Sequence, residues 1–243
     1  MAHLTVVGGS ARPLFTFNSH GIAQFKLATR YAARRIVEAY AFPEESKPKR
    51  IQPSPAKELV YAFHRSGQKD DALNRAIERS AEAPPGETAF EKGRRRSMLR
   101  AAKHLRDFGN AFPFHDVRQR SLHTVISGLR VRVSLDFLAT LDTRDGPQTL
   151  GVIYNVAEEI SDHPDQLKVY AQIEGEVAFR VLREHISDIA AVWYIDLLGE
   201  RVVKRQVKPS IGTWKEVETV CDDILIAYRV IAARRSREER RAT

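Results

Sequence analysis

Cysteine occurs once in the 243 residues, at Cys221. A single thiol excludes an internal disulfide framework and any cysteine-rich zinc or iron–sulfur centre. Its position at an apolar phase of the last helical segment suits a buried, inert thiol better than a nucleophile. No apolar run is long enough to span a bilayer, and the amino terminus lacks the basic segment and apolar stretch of a secretory signal. A cytoplasmic location without a membrane partner is therefore expected. Gly8-Gly9 follows a short strand expected at Leu4 to Val7, but the remainder of a glycine-rich fingerprint and a Lys-Ser/Thr pair are missing, so a turn is expected there and not a phosphate loop. The histidines are scattered, with no H-E-x-x-H pair, and no G-x-S-x-G elbow supports serine hydrolysis.

What is abundant is positive charge. The chain has 39 Lys plus Arg against 31 Asp plus Glu, a formal charge of +8, which favours polyanionic partners and nucleic acid first among them. Its 43% hydrophobic content is enough to bury a substantial core and argues against wholesale disorder. Apolar residues Ile22, Phe25, Ala28, Ala32, Ile36 and Ala39 recur at helical spacing and predict one helix to Tyr40. Pro43, Pro48 and Pro53 mark a loop, and two shorter helices are expected near 56–65 and 70–83. After Pro84-Pro85-Gly86 a long helix runs from Glu87 to about Phe108. A meander of strands then spans Ser121 to Val156, with turns at Ser127-Gly128 and Asp145-Gly146-Pro147. A helix over 163–185, a hairpin about Gly199 and a last helix from Trp214 complete the pattern, with the arginine-rich tail expected to fray into solvent. The fold class is α+β, or mixed α/β: a central sheet flanked by helices, with an N-terminal helical region. The expected division places 1–86 in that N-terminal region and 87–243 in the core.

The stretch from Gly128 to Tyr170 carries the most chemistry. Alternating Leu129, Val131, Val133 and Leu135 form a strand leading to Asp136, a second strand covers Leu150 to Val156, and a polar loop precedes a helix bearing Gln166 and Tyr170. This order resembles the RecB-like branch of the PD-(D/E)XK nuclease superfamily, whose sheet is restriction-endonuclease-like. The resemblance implies carboxylates from two adjacent strands holding a hard divalent cation, normally Mg2+, with a lysine that positions the attacking water. Asp136, in Ser134-Leu135-Asp136-Phe137, matches the first position with leucine in place of proline. At the second, where the family shows an acid-x-lysine, this chain has Tyr154-Asn155-Val156. Glu158 and Glu159 lie just beyond that strand and Lys168 on the next helix, so an active site would use Asp136 and Glu158 as metal ligands, with Glu159 and Lys168 as further relocated groups. Gln166 and Tyr170 match the family's QxxxY motif and lie one helical turn apart. In the upstream helix Gly93 fits, but Arg96 or Ser97 stands where a metal-facing histidine is expected; Glu91 and His104 are the candidates to substitute for it. The four-cysteine cluster of some RecB-like nucleases is excluded by the lone Cys221.

The same upstream helix is cationic, and Arg94, Arg95, Arg96, Arg100 and Lys103 are expected to contact nucleic-acid phosphates. The resulting expectation is a nucleic-acid-interacting protein, with DNA favoured, whose catalytic motif is degenerate. Repair, mobile-element or defence settings are implied by the resemblance alone. Two alternatives stay open: an active Mg2+-dependent nuclease using the relocated groups, and a subunit that binds another protein through a degenerate nuclease fold.

Overall fold

The computed structural model describes residues 15–43, 54–67, 70–81 and 85–242. The strand expected at 4–7 and the proline-rich loop at 44–53 lie outside them. Along the chain come β1 (Thr16–Asn18), α1 (Ser19–Leu27), α2 (Arg30–Ala41), α3 (Pro55–Arg65), α4 (Asp70–Ala81) and α5 (Ala89–Asp107). They are followed by β2 (His115–Arg118), β3 (His123–Ile126), β4 (Leu129–Arg132), β5 (Phe137–Thr143), β6 (Gly146–Asn155) and α6 (Glu158–Ser161). The chain ends with α7 (Pro164–His185), β7 (Ile189–Asp196), β8 (Arg201–Gln206) and α8 (Ile211–Ala242). The architecture is α+β, a central sheet flanked by helices. Among the described residues no helix is long and apolar enough to cross a membrane.

Local chemistry sets the boundaries. The single helix expected over 22–40 is two, because Thr29 leaves the helical region and accepts a hydrogen bond from Ala32 N as the N-cap of α2. A reciprocal capping box starts α5: Thr88 Oγ1 accepts from Glu91 N, and Glu91 Oε2 accepts from Thr88 N. Glu91 is thereby a cap, not a spare metal ligand, and these bonds hold its carboxyl below the ordinary glutamate pKa. The arginine-rich tail remains helical to Ala242, contrary to the expected fraying; Arg234 pairs with Glu238 one turn on, and Arg235 lies 4.1 Å from the Phe42 ring centre.

The expected meander is divided between two sheets. A small one has the order β1-β4-β3, with β1 parallel to β4; the central one has the order β2-β5-β6-β7-β8 and already includes His115–Arg118. β5 and β6 form an antiparallel hairpin, and β6 runs parallel to β7, which the chain reaches through α7. The strand expected to lead directly into Asp136 stops at Arg132. Ser134 and Leu135 cross between the sheets, and Asp136 stands at the head of β5.

Period-two alternation assigns the two faces of the central sheet. Val152 and Tyr154 of β6 pack with Phe63 of α3, Leu73 of α4 and Leu105 of α5. Ile153 turns to the other face, which gathers Val177 and Leu182 of α7, Ile224 of α8, and Phe17 and Ile22 from the N-terminal elements. Each core therefore draws on both sides of the division expected near residue 86. Gly151 lets α7 approach the sheet: a Cβ there would lie 2.7 Å from Leu182 Cδ1 and 3.1 Å from Val192 Cγ2.

Candidate functional site

Asp136 is tied to β6 before any other group reaches it. Its amide donates to Val152 O at 3.0 Å, and its Oδ2 accepts from Tyr154 N at 2.7 Å. The remaining capacity of the carboxylate is taken by an ammonium: Lys57 Nζ lies 3.0 Å from Oδ1 and 3.1 Å from Oδ2. Lys57 belongs to the first turn of α3, which Ala56, Leu59, Val60 and Phe63 pin to the sheet. The aspartate side chain is 10% exposed and the lysine 36%, so solvent screens the pair only in part. Burial opposes the lysine's charge, but Asp136 and then Glu174 outweigh it and hold the Lys57 pKa above the ordinary value.

Two turns further along α3, His64 Nε2 lies 2.9 Å from the hydroxyl of Tyr154. Tyr154 stands in the strand where the resemblance calls for the acid-x-lysine motif. Its phenol is nearly inaccessible and stacked on His64, and burial pushes its pKa upward. Burial also lowers the His64 pKa to about 3, and among the described residues His64 Nδ1 has no hydrogen-bond partner. The imidazole is therefore neutral at physiological pH, a packing group with one hydrogen bond.

A second carboxylate, Glu174, enters from the other side of the sheet in the middle of α7 and is 1% exposed. His20 Nδ1 lies 3.0 Å from its Oε1. The His20 ring stacks on Tyr170, with centroids 4.8 Å apart. The first turn of α1 is fixed beside the Asp136 segment by two bonds: Ser134 N donates to Ser19 Oγ at 2.8 Å, and His20 N donates to Ser134 Oγ at 3.2 Å. Burial, with Glu174 adding to it, pushes the Tyr170 phenol up to about 12. Lys57, Glu174 and His20 are absent from the sequence-based site. The one available signal was Glu174 itself, an acid in the mainly apolar segment Ile173–Leu182, which also holds Glu176 and Arg180; nothing local marks Lys57 or His20.

The other expected residues are dispersed. Glu158 forms an ion pair with Arg100 of α5, and Glu159 is exposed beside it. Both line a cleft of about 360 Å3 with Gly93, Arg96 and Ser97, which brings the upstream-helix element against the end of β6; Asp136 is not in its wall. Lys168 pairs in solvent with Asp165 at 3.4 Å, remote in role from the lysine the resemblance implies. Of the QxxxY pair, Tyr170 is buried and Gln166 is exposed. His104 pairs with Glu200 at 2.8 Å. Asn155 donates to the buried carboxylate of Asp196 at 3.0 Å, which also accepts from Ser161 and Arg201, locking the ends of β6, β7 and β8 together.

Mg2+ takes six oxygen ligands, of which one or two are carboxylates free to face the ion and the rest waters or substrate oxygens. Among the described residues no three His, Cys, Asp or Glu side chains are grouped to hold one. The expected ligands Asp136 and Glu158 each face a different internal cation, Lys57 and Arg100. The side chains as placed do not fit Mg2+ between them.

The cations of α5 are also largely engaged. Arg95 makes two bonds to Glu87, at 2.8 and 3.0 Å, and one to Ser80 O at 3.0 Å. Arg94 lies over the Phe90 ring at 5.7 Å, and Arg106 donates to Asn74. Arg96 and Lys103 are exposed. No protein-family model matches the chain, and a search of curated proteins finds no match, so the reading of this site rests on its own residues.

Proposed function

We propose that the protein is a nucleic-acid-binding relative of the RecB-like nucleases that holds the phosphate backbone without cutting it. The observation that carries this reading is the Lys57 ammonium seated on both oxygens of Asp136, with the Tyr154 amide on one of them. In the resemblance, Asp136 supplies a metal ligand. Here its negative charge is neutralised within the fold, and the strand position that would supply a second acid holds a buried tyrosine. Hydrolysis by the route the resemblance implies needs an activated water and a divalent cation to stabilise the developing charge. Binding needs neither, since Lys and Arg side chains that neutralise phosphates suffice. The net charge of +8 supports that partner class.

The test is binding of labelled single- and double-stranded DNA across a salt series, with Mg2+ or EDTA at matched ionic strength. The expected result is affinity that falls steeply with salt and is the same in both conditions. Tight binding that requires Mg2+ would show a working cation site and overturn the reading. Absence of any salt-sensitive binding would remove nucleic acid as the partner and leave the protein-binding alternative.

A further inference from the structure

We infer that the outward face of the small β1-β4-β3 sheet, carrying Arg130 and Arg132, is the surface that takes the nucleic-acid backbone, in place of the cationic helix α5. This inference rests on the nucleic-acid reading above and specifies where that contact is made.

Three observations converge on this face. Its strands read Thr-Phe-Asn, His-Thr-Val-Ile and Leu-Arg-Val-Arg, without one acidic residue. Period-two alternation turns Phe17, Leu129 and Val131 into the core, leaving Arg130 and Arg132 exposed on the opposite side. Register then places Arg130 between Thr16 and Val125, and Arg132 between Asn18 and His123, giving two short rows with a guanidinium at the centre of each. The second observation is availability. Neither arginine has an ion-pair partner among the described residues, whereas Arg95 and Arg100 of α5 are committed to Glu87 and Glu158. A guanidinium already neutralised inside the fold releases fewer counterions on meeting a phosphate than one facing water.

The third is spacing. Two residues apart on a strand, the arginine Cα atoms are separated by about 6.8 Å, equal to the axial rise of about two nucleotides of one B-DNA strand. The chain enters β3 through exposed Arg118 and Arg120, and the Leu122 carbonyl accepts from Val133 N, so this approach adjoins the Arg132 end of the face. No Phe, Tyr or Trp ring occupies an outward position and the one imidazole there, His123, stands alone, so the face suits phosphates better than a run of stacked bases. Val125 is the one large apolar side chain exposed there, too little to anchor an anionic bilayer.

The test compares the full chain with an Arg130→Ala/Arg132→Ala variant and, on α5, an Arg96→Ala/Lys103→Ala variant, by anisotropy of a labelled DNA duplex against salt. The β4 variant is expected to lower the slope of log affinity against log salt by about two, and the α5 variant to leave it nearly unchanged. An Arg130→Lys/Arg132→Lys variant should restore the slope, separating loss of charge from loss of fold. A β4 variant with the unaltered slope, while the unmodified chain binds DNA, overturns this inference alone. An unmodified chain that does not bind DNA overturns the nucleic-acid reading and this inference with it. Co-sedimentation with phosphatidylserine vesicles in the absence of DNA binding would assign the face to a membrane instead.

Discussion

Asp136 and Tyr154 show how a side chain's partners decide its chemistry. An aspartate at the head of a strand was legible from the pattern around it. Its companion was not, because Lys57 lies 79 residues away and reaches it only after α3 has docked on the sheet. The separation of 154 positions between His20 and Glu174 hides that pair for the same reason. His64 provides a measurable consequence. Burial holds its folded pKa near 3, against about 6.5 in the unfolded chain, so between those values the unfolded state binds a proton that the native state does not. Its contribution is complete above about pH 6.5 and is lost as pH falls, at about 1.4 kcal/mol per pH unit through most of that window. Urea unfolding of the protein and of a His64→Gln variant between about pH 6.5 and 4.5 should show a shallower loss in the variant. Equal slopes would mean that His64 is protonated in the native state.

Helices and hairpins were legible because their periods survive in a single sequence. Their exact ends depend on side-chain-to-backbone bonds, so Thr29 divides what apolar spacing presents as one helix. The separation of the sheets depends on how Ser134 is held by Ser19, a contact between distant segments. The connection from β8 to α8 shows the same dependence. The Glu176 carboxylate, fully buried in α7, accepts from Arg180, from Gln206 at 2.7 Å and from Ser210 N at 2.9 Å, anchoring that connection to the core helix. Replacing it with alanine leaves buried donors without partners and a long helix without its anchor. Glu176→Ala should destabilise the protein by about 3–4 kcal/mol, measured by denaturant titration. A cost below about 1 kcal/mol would show that water or a rearranged loop satisfies those donors.

Over the whole molecule, the sequence conveys the α+β class and the excess of positive charge but not where that charge is available. Helix α5 has the densest run of basic residues, yet Arg95 and Arg100 are neutralised by Glu87 and Glu158. The sparser arginines of β4 remain open to solvent. Net charge is additive along a chain, whereas its presentation depends on which carboxylates fold against it. Both cores join N-terminal helices to the later sheet, so the helices that supply His20 and Lys57 are integral to the Asp136 region. On the proposed reading, Asp136 is neutralised internally and does not support phosphodiester hydrolysis. The most direct test of that reading is incubation of the purified protein with linear and single-stranded DNA in Mg2+ or Mn2+, beside EDTA and an Asp136→Ala control. Intact DNA is expected in every arm; metal-dependent cleavage by the unmodified protein that disappears in Asp136→Ala would overturn the reading.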